Sequence, residues 1–397
     1  MSGPLDDVTV IELGQLLAGP YCGQLFADYG ATVIKLEQPG VGDPLRKWGR
    51  ERVDGETLWW PIAARGKRSV TCDLRDERGQ EIVRRLVADA DVIVENFRPG
   101  TMERWGLGWE EVSAINPRLV MVRVSGYGQT GPYSSRPGYA SVGEAMGGLR
   151  YVMGDPSTAP SRAGISIGDS LAAIYATMGA MAALHQVGIT GRGQVVDASI
   201  YESVLAVMES LIPEYTIGGF TRERTGPMLP NVAPSNLYPT RDGEWVLIAA
   251  NQDSLFARLC AAMGRPEWVD DPRFVDHLAR GANQAELDGL IAEWTSTMTA
   301  SEVLDAMIEH EVASGGVYRA PDMLADPHFR ERESIVEVDH PRLGSFAMQN
   351  VFPRLSETPG SISWVGPELG EHNDEVLSGV LGYSDDELEA LRADGVI

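Results

Sequence analysis

The chain has 397 residues, of which 43% are hydrophobic, and a formal net charge of −24 at pH 7. This length predicts two or three domains with a sizeable core, and the acidic balance argues against a nucleic-acid partner. Its three cysteines form no CxxC pair, so we expect a cytoplasmic protein. We find no apolar run of about 18 residues and no basic, apolar leader, so we expect no membrane partner.

Strand and helix patterns alternate through the first half of the chain. Predicted strands cover 8–13, 32–37, 69–74, 91–96, 119–124 and 195–200, and predicted helices cover 19–29, 76–90 and 169–187. This alternation predicts an α/β fold with a mostly parallel sheet and helices on both faces. Ligands of such sheets bind at the carboxyl ends of the strands. Leu13–Ala18 and Glu95–Arg98 are therefore candidate ligand contacts.

A second region begins near residue 222 with a Pro-rich loop. A hairpin pattern over 238–250 and helix patterns over 254–263, 284–297 and 301–312 follow. The chain ends in an acidic helix over 384–393, with Ser384 as its predicted N-cap. We therefore predict a large domain from 1–221, a small domain from 222–325, and a return to the large domain over 326–397.

Cations are concentrated between Lys35 and Arg104. This window contains 14 Lys and Arg against 13 Asp and Glu, a net charge of +1 in a strongly acidic chain. Such a stretch suits a polyanionic small ligand. Uneven composition is the alternative explanation.

Two glycine motifs are misleading. Gly126–Gly131 satisfies G-x-G-x-x-G, but the Pro/Ser cluster after it predicts a loop where dinucleotide binding needs a helix. Gly164–Gly168 satisfies G-x-S-x-G, but no strand pattern precedes it as a hydrolase elbow requires. Late histidines nevertheless leave a hydrolase triad open. The chain has no HExxH and no Cys/His cluster, so we expect no metal site.

Asp169 stands at the start of a long apolar helix pattern, where an aspartate is either a helix cap or a nucleophile. Ordered segments along nearly the whole chain resemble the class III coenzyme A transferases, the family of formyl-CoA transferase and carnitine CoA-transferase. The segments are Leu17–Pro20, Gly30–Glu37, Gly66–Ser69, Val94–Gly100, Gly126–Pro132, Gly168-Asp169, Thr190–Gln194 and Gly370–Leu377. The resemblance implies a Rossmann-like large domain formed by both chain ends, a smaller α+β domain and an interlinked homodimer.

The resemblance also implies a reaction. Asp169 would attack an acyl-CoA, forming an aspartyl anhydride and then an aspartyl-CoA thioester, which passes CoA to an acceptor acid. CoA thioesters are substrates in this scheme, and no permanently bound cofactor is implied. Ala140 stands where many family members carry an acid, which resembles members that use dicarboxylic acids with succinyl-CoA as donor. Arg150 or Arg162 would then bind the distal carboxylate.

Family positions for CoA and substrate can be carried over one by one. The predicted binding residues are Gln15, Leu16, Ala18, Cys72 near the adenine, Asn96, Phe97, Arg98, Arg104, Arg136 and Tyr139. Arg136 would substitute for a family cation at Pro137, and Arg46 or Lys47 for one at Gln38. The glycine-run loop of formyl-CoA transferase has no equivalent here. Its nearest counterpart is Gly226–Ser235.

Two further readings stay open. An α-methylacyl-CoA racemase of the same family needs a histidine before the aspartate, but residues 119–169 contain none and the next is His185. A non-catalytic CoA-binding protein would bind the ligand without any exchange activity.

Overall fold

The computed structural model describes residues 3–53 and 55–397. The chain forms two compact units, the first from Met1–Leu149, Ala163–Ser210 and Arg330–Ile397, the second from Arg150–Arg162 and Leu211–Phe329. The second unit thus includes 150–162, 211–221 and 326–329, which the sequence prediction assigned to the large domain.

The strands are short, as is usual for sheets of soluble proteins. In chain order they are β1 Thr9–Glu12, β2 Thr32–Glu37, β3 Arg52–Val53, β4 Glu56–Thr57, β5 Lys67–Thr71, β6 Val92–Glu95, β7 Val120–Ser125, β8 Val195–Ser199, β9 Ser235–Pro239, β10 Trp245–Ala249, β11 Ser314–Gly316, β12 Ile335–His340 and β13 Gly344–Gln349.

The helices range from single turns to one helix of 24 residues. In chain order they are α1 Ala18–Asp28, α2 Trp60–Ala63, α3 Glu77–Val87, α4 Thr101–Arg104, α5 Trp109–Ile115, α6 Ala140–Met146, α7 Leu149–Val152, α8 Ile167–Thr190, α9 Ile200–Leu205, α10 Leu211–Thr216, α11 Asp253–Ala262, α12 His277–Ala282, α13 Gln284–Thr295, α14 Ala300–Glu309, α15 Ala320–Ala325, α16 Pro327–Glu331 and α17 Asp385–Ala393. Pro44–Lys47 and Pro266–Asp270 form 3₁₀ turns, and Asp374–Val380 is a π-helix.

The first unit is built on a six-stranded sheet in the order β5-β2-β1-β6-β7-β8, and every pairing in it is parallel. The predicted α/β fold with a parallel sheet is thus confirmed. The chain runs outward from β1 to β2 and β5 on one side and continues at β6 on the other. The strand order therefore reverses between β1 and β6, where sheets of this kind open a ligand crevice.

Both faces of this sheet are covered. Successive strand residues point to opposite faces, so Val10 lies in one hydrophobic cluster and Ile11 in the other. The Val10 side contains alanines of α8, while the Ile11 side contains α3 and the C-terminal residues Val396 and Ile397. Burial on both faces explains why the strands read as continuous apolar runs.

Helix α8 corrects one expectation from the sequence. Its 24 residues are long and apolar enough to cross a membrane, with a mean hydropathy of 1.3 over 18 residues. The expectation that no segment reaches this length was therefore wrong. However, Ala172, Ala176 and Ala180 are fully buried in the core beneath the sheet. Small side chains on this face let the helix backbone approach the strands closely.

The second unit has its own antiparallel sheet in the order β11-β10-β9. The β9–β10 pair is the hairpin that the sequence predicts. Its core includes the buried Tyr238, whose hydroxyl donates to Asp288 at 2.6 Å. The same carboxylate accepts from Asn236 at 2.9 Å, so the buried polar groups on α13 and β9 satisfy each other.

Candidate active site

The turn after β1 is held from two sides. Residues 13–17 form this β1–α1 turn, and Leu16 has φ +64°, a left-handed conformation rare outside glycine. The Leu16 N–H donates to both carboxylate oxygens of Asp43, at 3.0 and 3.2 Å. Asn96, just after β6, accepts the Gln15 N–H through Oδ1 and donates Nδ2 to the Gln15 carbonyl, both at 2.8 Å. The sequence placed the ends of β1 and β6 together, and these bonds join them.

A set of buried charges lies beneath this turn. We call Glu12, Lys35, Asp43 and Lys67 the buried ion cluster. Lys35 Nζ lies 2.8 Å from both Glu12 Oε1 and Asp43 Oδ2, and Lys67 Nζ lies 2.8 Å from Glu12 Oε2. Each side chain is at most 1% exposed, and the four charges sum to zero. Removing one member would leave an uncompensated buried charge, which typically costs about 3–5 kcal/mol.

The buried ion cluster makes stability depend on acid pH. Burial alone would raise the pKa of the Asp43 carboxyl, but the Lys35 ammonium and two backbone N–H groups outweigh burial and hold that pKa below its usual value. The stabilisation is therefore complete above about pH 4 and is lost as the pH falls through the lowered pKa.

We expect the thermal midpoint of Asp43→Asn to lie below that of the wild type by a constant margin between about pH 8 and pH 5. Below about pH 4 the margin should narrow, because the Asp43 carboxyl becomes protonated first in the unfolded wild type and then, at its lowered pKa, in the folded protein. Thermal unfolding followed by circular dichroism measures the margin. A margin that stays constant down to about pH 3 would contradict this account.

Asp169 lies in the first turn of α8, which begins at Ile167 with Ser166 as its N-cap residue. Asp169 is therefore not the helix cap, which was the structural alternative to a nucleophile. The preceding Gly168 N–H donates to the buried Glu144 Oε1 at 3.3 Å. A Cβ on Gly168 would lie 3.1 Å from atoms of Ala140, Glu144 and Ile200, so a larger residue would require these neighbours to shift by a few tenths of an ångström.

Asp169 opens into a cavity of ≈ 190 Å³ at the carboxyl edge of the sheet. Nine of the eleven residues that the sequence analysis selected line this cavity: Gln15, Leu16, Ala18, Asn96, Phe97, Arg98, Arg136, Tyr139 and Asp169. They come from the β1–α1 turn, the segment after β6, the segment before α6, and α8. Residues that are far apart in sequence thus surround one carboxylate.

Two of these eleven residues lie elsewhere, and the predicted carboxylate contacts Arg150 and Arg162 do not line this cavity either. Cys72 is buried in the core, where its thiol donates to the Gly79 carbonyl at 3.3 Å and burial raises its pKa to about 12. Arg104 donates to Thr101 within α4 and does not line the cavity. Contact with CoA stays a prediction for both residues.

Two cationic side chains of the cavity are available for an anion. Arg98 is exposed and makes no ion pair within the described residues. Arg136 stacks over the Tyr133 ring at 3.7 Å, which fixes its guanidinium plane. By contrast Arg46, a proposed phosphate contact, forms two 2.8 Å hydrogen bonds with Glu37 and lies over Trp60.

A second cavity of ≈ 540 Å³ shares Leu16 and Leu17 with the Asp169 cavity. Ser166 and Ser170, which flank Asp169 in the chain, line this second cavity. The β1–α1 turn is thus the wall between two cavities. Neither serine was predicted as a site residue, although both lie within one helical turn of the aspartate.

The glycine motifs do not form the sites their patterns suggest. No helix follows Gly126–Gly131 until α6, and no strand leads into Ser166. No histidine lines the Asp169 cavity among the residues the structure describes. Likewise, residues 3–53 and 55–397 contain no group of three His, Cys, Asp or Glu side chains able to hold a metal ion.

The two hydrogen bonds between Asn96 and Gln15 should matter for activity. We expect Asn96→Ala to lower kcat/KM for an acyl-CoA substrate by about 10- to 100-fold, because the turn beside Asp169 loses a fixed position. Asn116→Ala is the matched control, since Asn116 donates to the Val87 and Ala90 carbonyls away from the cavity. Steady-state kinetics on both variants measures the effect. Equal losses of kcat/KM in the two variants would contradict a specific role for Asn96.

The chain is similar to known proteins along nearly its whole length. The succinyl-CoA–D-citramalate CoA-transferase of Chloroflexus aurantiacus is 59% identical over 394 residues, covering 99% of this chain and 98% of that protein. The beta subunit of the succinyl-CoA–L-malate CoA-transferase from the same organism is 42% identical, covering 99% and 98%. Among solved structures, a CAIB/BAIF family protein from Brucella suis has a TM-score of 0.84 and 34% identity, covering 96% of this chain and all of that one.

A sequence profile described as CoA-transferase family III matches residues 5–373, nearly the whole chain. This match, the relatives and the shared fold agree with the resemblance drawn from the sequence segments. CoA thioesters are the substrates of such enzymes. The chain belongs to CoA-transferase family III.

Proposed function

We propose that this enzyme transfers CoA from succinyl-CoA to a short 2-hydroxydicarboxylic acid, with Asp169 as the covalent carrier. The observation that carries the proposal is the position of the Asp169 carboxylate in a cavity lined by Arg98, Arg136 and the β1–α1 turn. Two relatives covering nearly the whole chain carry D-citramalate and L-malate in their names. Both acids are 2-hydroxydicarboxylates, which supports this class of acceptor.

The first half of the reaction loads the enzyme. The Asp169 carboxylate attacks the thioester carbonyl of succinyl-CoA, the C–S bond breaks, and an aspartyl-succinyl anhydride and CoA thiolate result. The thiolate then attacks the aspartyl carbonyl of the anhydride. The C–O bond to succinate breaks, leaving an aspartyl-CoA thioester and releasing succinate.

The second half reverses these steps with the acceptor. An acceptor carboxylate attacks the aspartyl-CoA thioester, giving a new anhydride and CoA thiolate. The thiolate attacks the acceptor carbonyl, which forms the acceptor CoA ester and restores the Asp169 carboxylate. Because each step exchanges one activated acyl bond for another, thioester energy is conserved only if water is kept from the site.

The local structure suits a carboxylate nucleophile. Asp169 lies in the first turn of α8, and the partial positive charge at a helix N-terminus favours its anionic form. The 190 Å³ cavity has room for the reacting end of a thioester. Arg98 and Arg136 at this cavity would bind anionic groups of CoA or of the dicarboxylate.

The test is a substrate survey with succinyl-CoA as donor, in which CoA esters are separated by liquid chromatography and identified by mass spectrometry. We expect D-citramalyl-CoA or L-malyl-CoA to form, with little product from a monocarboxylate such as butyrate. Arg162→Ala tests whether Arg162 binds the distal carboxylate of the acceptor, and an unchanged acceptor KM would show that it does not. CoA release without any acceptor would favour a hydrolase, and loss of stereochemistry in a 2-methylacyl-CoA would favour a racemase.

We further propose an interlinked homodimer, as the family resemblance implies. Helix α8 supports a partner surface, because Ile174 and Met178, one turn apart, are 46% and 60% exposed. Size-exclusion chromatography with light scattering should give twice the chain mass. A monomer at micromolar concentration would contradict the dimer without affecting the chemistry.

A further inference from the structure

Leu16 is an unusual residue in an unusual place. It is one of five non-glycine residues with positive φ within the described ranges, and among them only Leu16 lines the Asp169 cavity. A leucine in the left-handed region is strained, because its Cβ crowds the backbone. Strained residues persist only where their surroundings hold them, and they concentrate at functional sites.

The surroundings that hold Leu16 can be followed atom by atom. Asp43 accepts the Leu16 N–H at 3.0 Å and, through the same oxygen, the Leu45 N–H at 2.8 Å. Its other oxygen faces Lys35 Nζ at 2.8 Å. Lys35 also donates to the Gly14 carbonyl at 2.9 Å, two residues before Leu16. The buried ion cluster therefore forms hydrogen bonds with the turn at both Gly14 and Leu16.

We propose that Asp43 is a positioning residue for CoA transfer. Its carboxylate keeps Leu16 in the left-handed conformation, and the turn 13–17 thereby keeps its place as the wall between the Asp169 cavity and the second cavity. Asp43 lines neither cavity, so it acts through the backbone of the turn. This inference rests on the proposed function only for its kinetic readout.

A comparison of glycine and alanine at position 16 isolates this role. Leu16→Gly and Leu16→Ala both remove the side chain, but only glycine adopts positive φ without strain. With Asp43 present, we expect the two variants to have kcat values within about threefold of each other, because the turn is held in either case. In an Asp43→Ala background, we expect the glycine variant to exceed the alanine variant by about tenfold or more, because glycine retains the turn on its own.

Hydrogen–deuterium exchange supplies a readout that does not depend on activity. In Asp43→Ala we expect the Leu16 amide to exchange faster, while amides of β1 keep their protection. Asp28→Ala is the control for loss of a buried, ion-paired aspartate, since Asp28 lies 2.7 Å from Arg65 and does not bond the turn. It should leave the Leu16 amide protected.

Each result of these experiments either supports or contradicts the role of Asp43. Equal glycine and alanine variants in the Asp43→Ala background, with an unchanged Leu16 amide, would overturn the proposal. If Asp43→Ala does not fold, hydrogen–deuterium exchange of the wild type is the test. A protected Leu16 amide would support the proposal, and a Leu16 amide that exchanges as fast as an unstructured one would overturn it. A wild type without transferase activity but with a protected Leu16 amide would refute the proposed function. It would not contradict the conclusion that Asp43 holds the turn 13–17 in place.

Discussion

Asp169→Asn should abolish CoA exchange, with a loss in kcat of at least about 10³-fold. Asparagine has nearly the same size and remains compatible with the first turn of α8, so the fold should persist. An amide, however, is too weak a nucleophile to form an anhydride with the acyl group. Binding of CoA should change little, because the other groups lining the cavity are intact.

Asp385→Asn is the matched control for this substitution. Asp385 is an exposed acid in the first turn of α17, so its loss removes the same favourable interaction with a helix N-terminus. We expect its exchange activity to match the wild type. Exchange activity in Asp169→Asn within tenfold of the wild type would show that Asp169 does not carry the acyl group or CoA.

Gly23→Ala should destabilise the protein, although alanine normally favours a helix over glycine by about 1 kcal/mol. Gly23 lies inside α1, and a Cβ at this position would stand 1.9 Å from Glu12 Oε2. That oxygen is held 2.8 Å from Lys67 Nζ in the buried ion cluster and cannot move without breaking the ion pair. We expect a net loss of about 1–3 kcal/mol.

Gly188→Ala separates this steric effect from helix propensity. Gly188 lies in α8, and a Cβ there would meet no atom within 4 Å. The substitution should be neutral or stabilising by up to about 1 kcal/mol. Denaturant unfolding of both variants measures the difference, and a Gly23→Ala protein as stable as Gly188→Ala would contradict the packing argument.

Much of the first unit follows from local sequence patterns. Strands β1, β2, β6 and β7 appear within about two residues of their predicted ends, because buried parallel strands are continuous apolar runs between loop residues. The rule that ligands bind at the carboxyl ends of strands then selected Gln15 and Asn96. Their side-chain and backbone bonds now join β1 to β6.

Other parts of the site could not be predicted, because they depend on contacts between distant residues. Asp43 and Leu16 are 27 positions apart, and no local pattern indicates that a carboxylate holds a strained turn. Only part of the cationic window from Lys35 to Arg104 is open to a ligand, since Arg98 lines the Asp169 cavity. Lys35 and Lys67 do not face a ligand there, because Glu12 pairs with both of them inside the core.

Glu144 is a second residue whose role could not be predicted from the sequence. Many family members carry an acid at the position of Ala140, and Glu144 stands one helical turn later, which was the available signal for it. Its contact with the Gly168 N–H depends on how α6 packs against the start of α8. Such packing is set by the tertiary structure and leaves no periodic trace in either helix.

The most direct test of a covalent Asp169 is to trap the intermediate. The wild type is incubated with succinyl-CoA, treated with hydroxylamine, digested and analysed by mass spectrometry. We predict a hydroxamate on Asp169 in the wild type and none in Asp169→Asn, because hydroxylamine attacks both the anhydride and the aspartyl-CoA thioester. An unmodified Asp169 peptide from enzyme that is actively turning over succinyl-CoA would contradict the covalent mechanism.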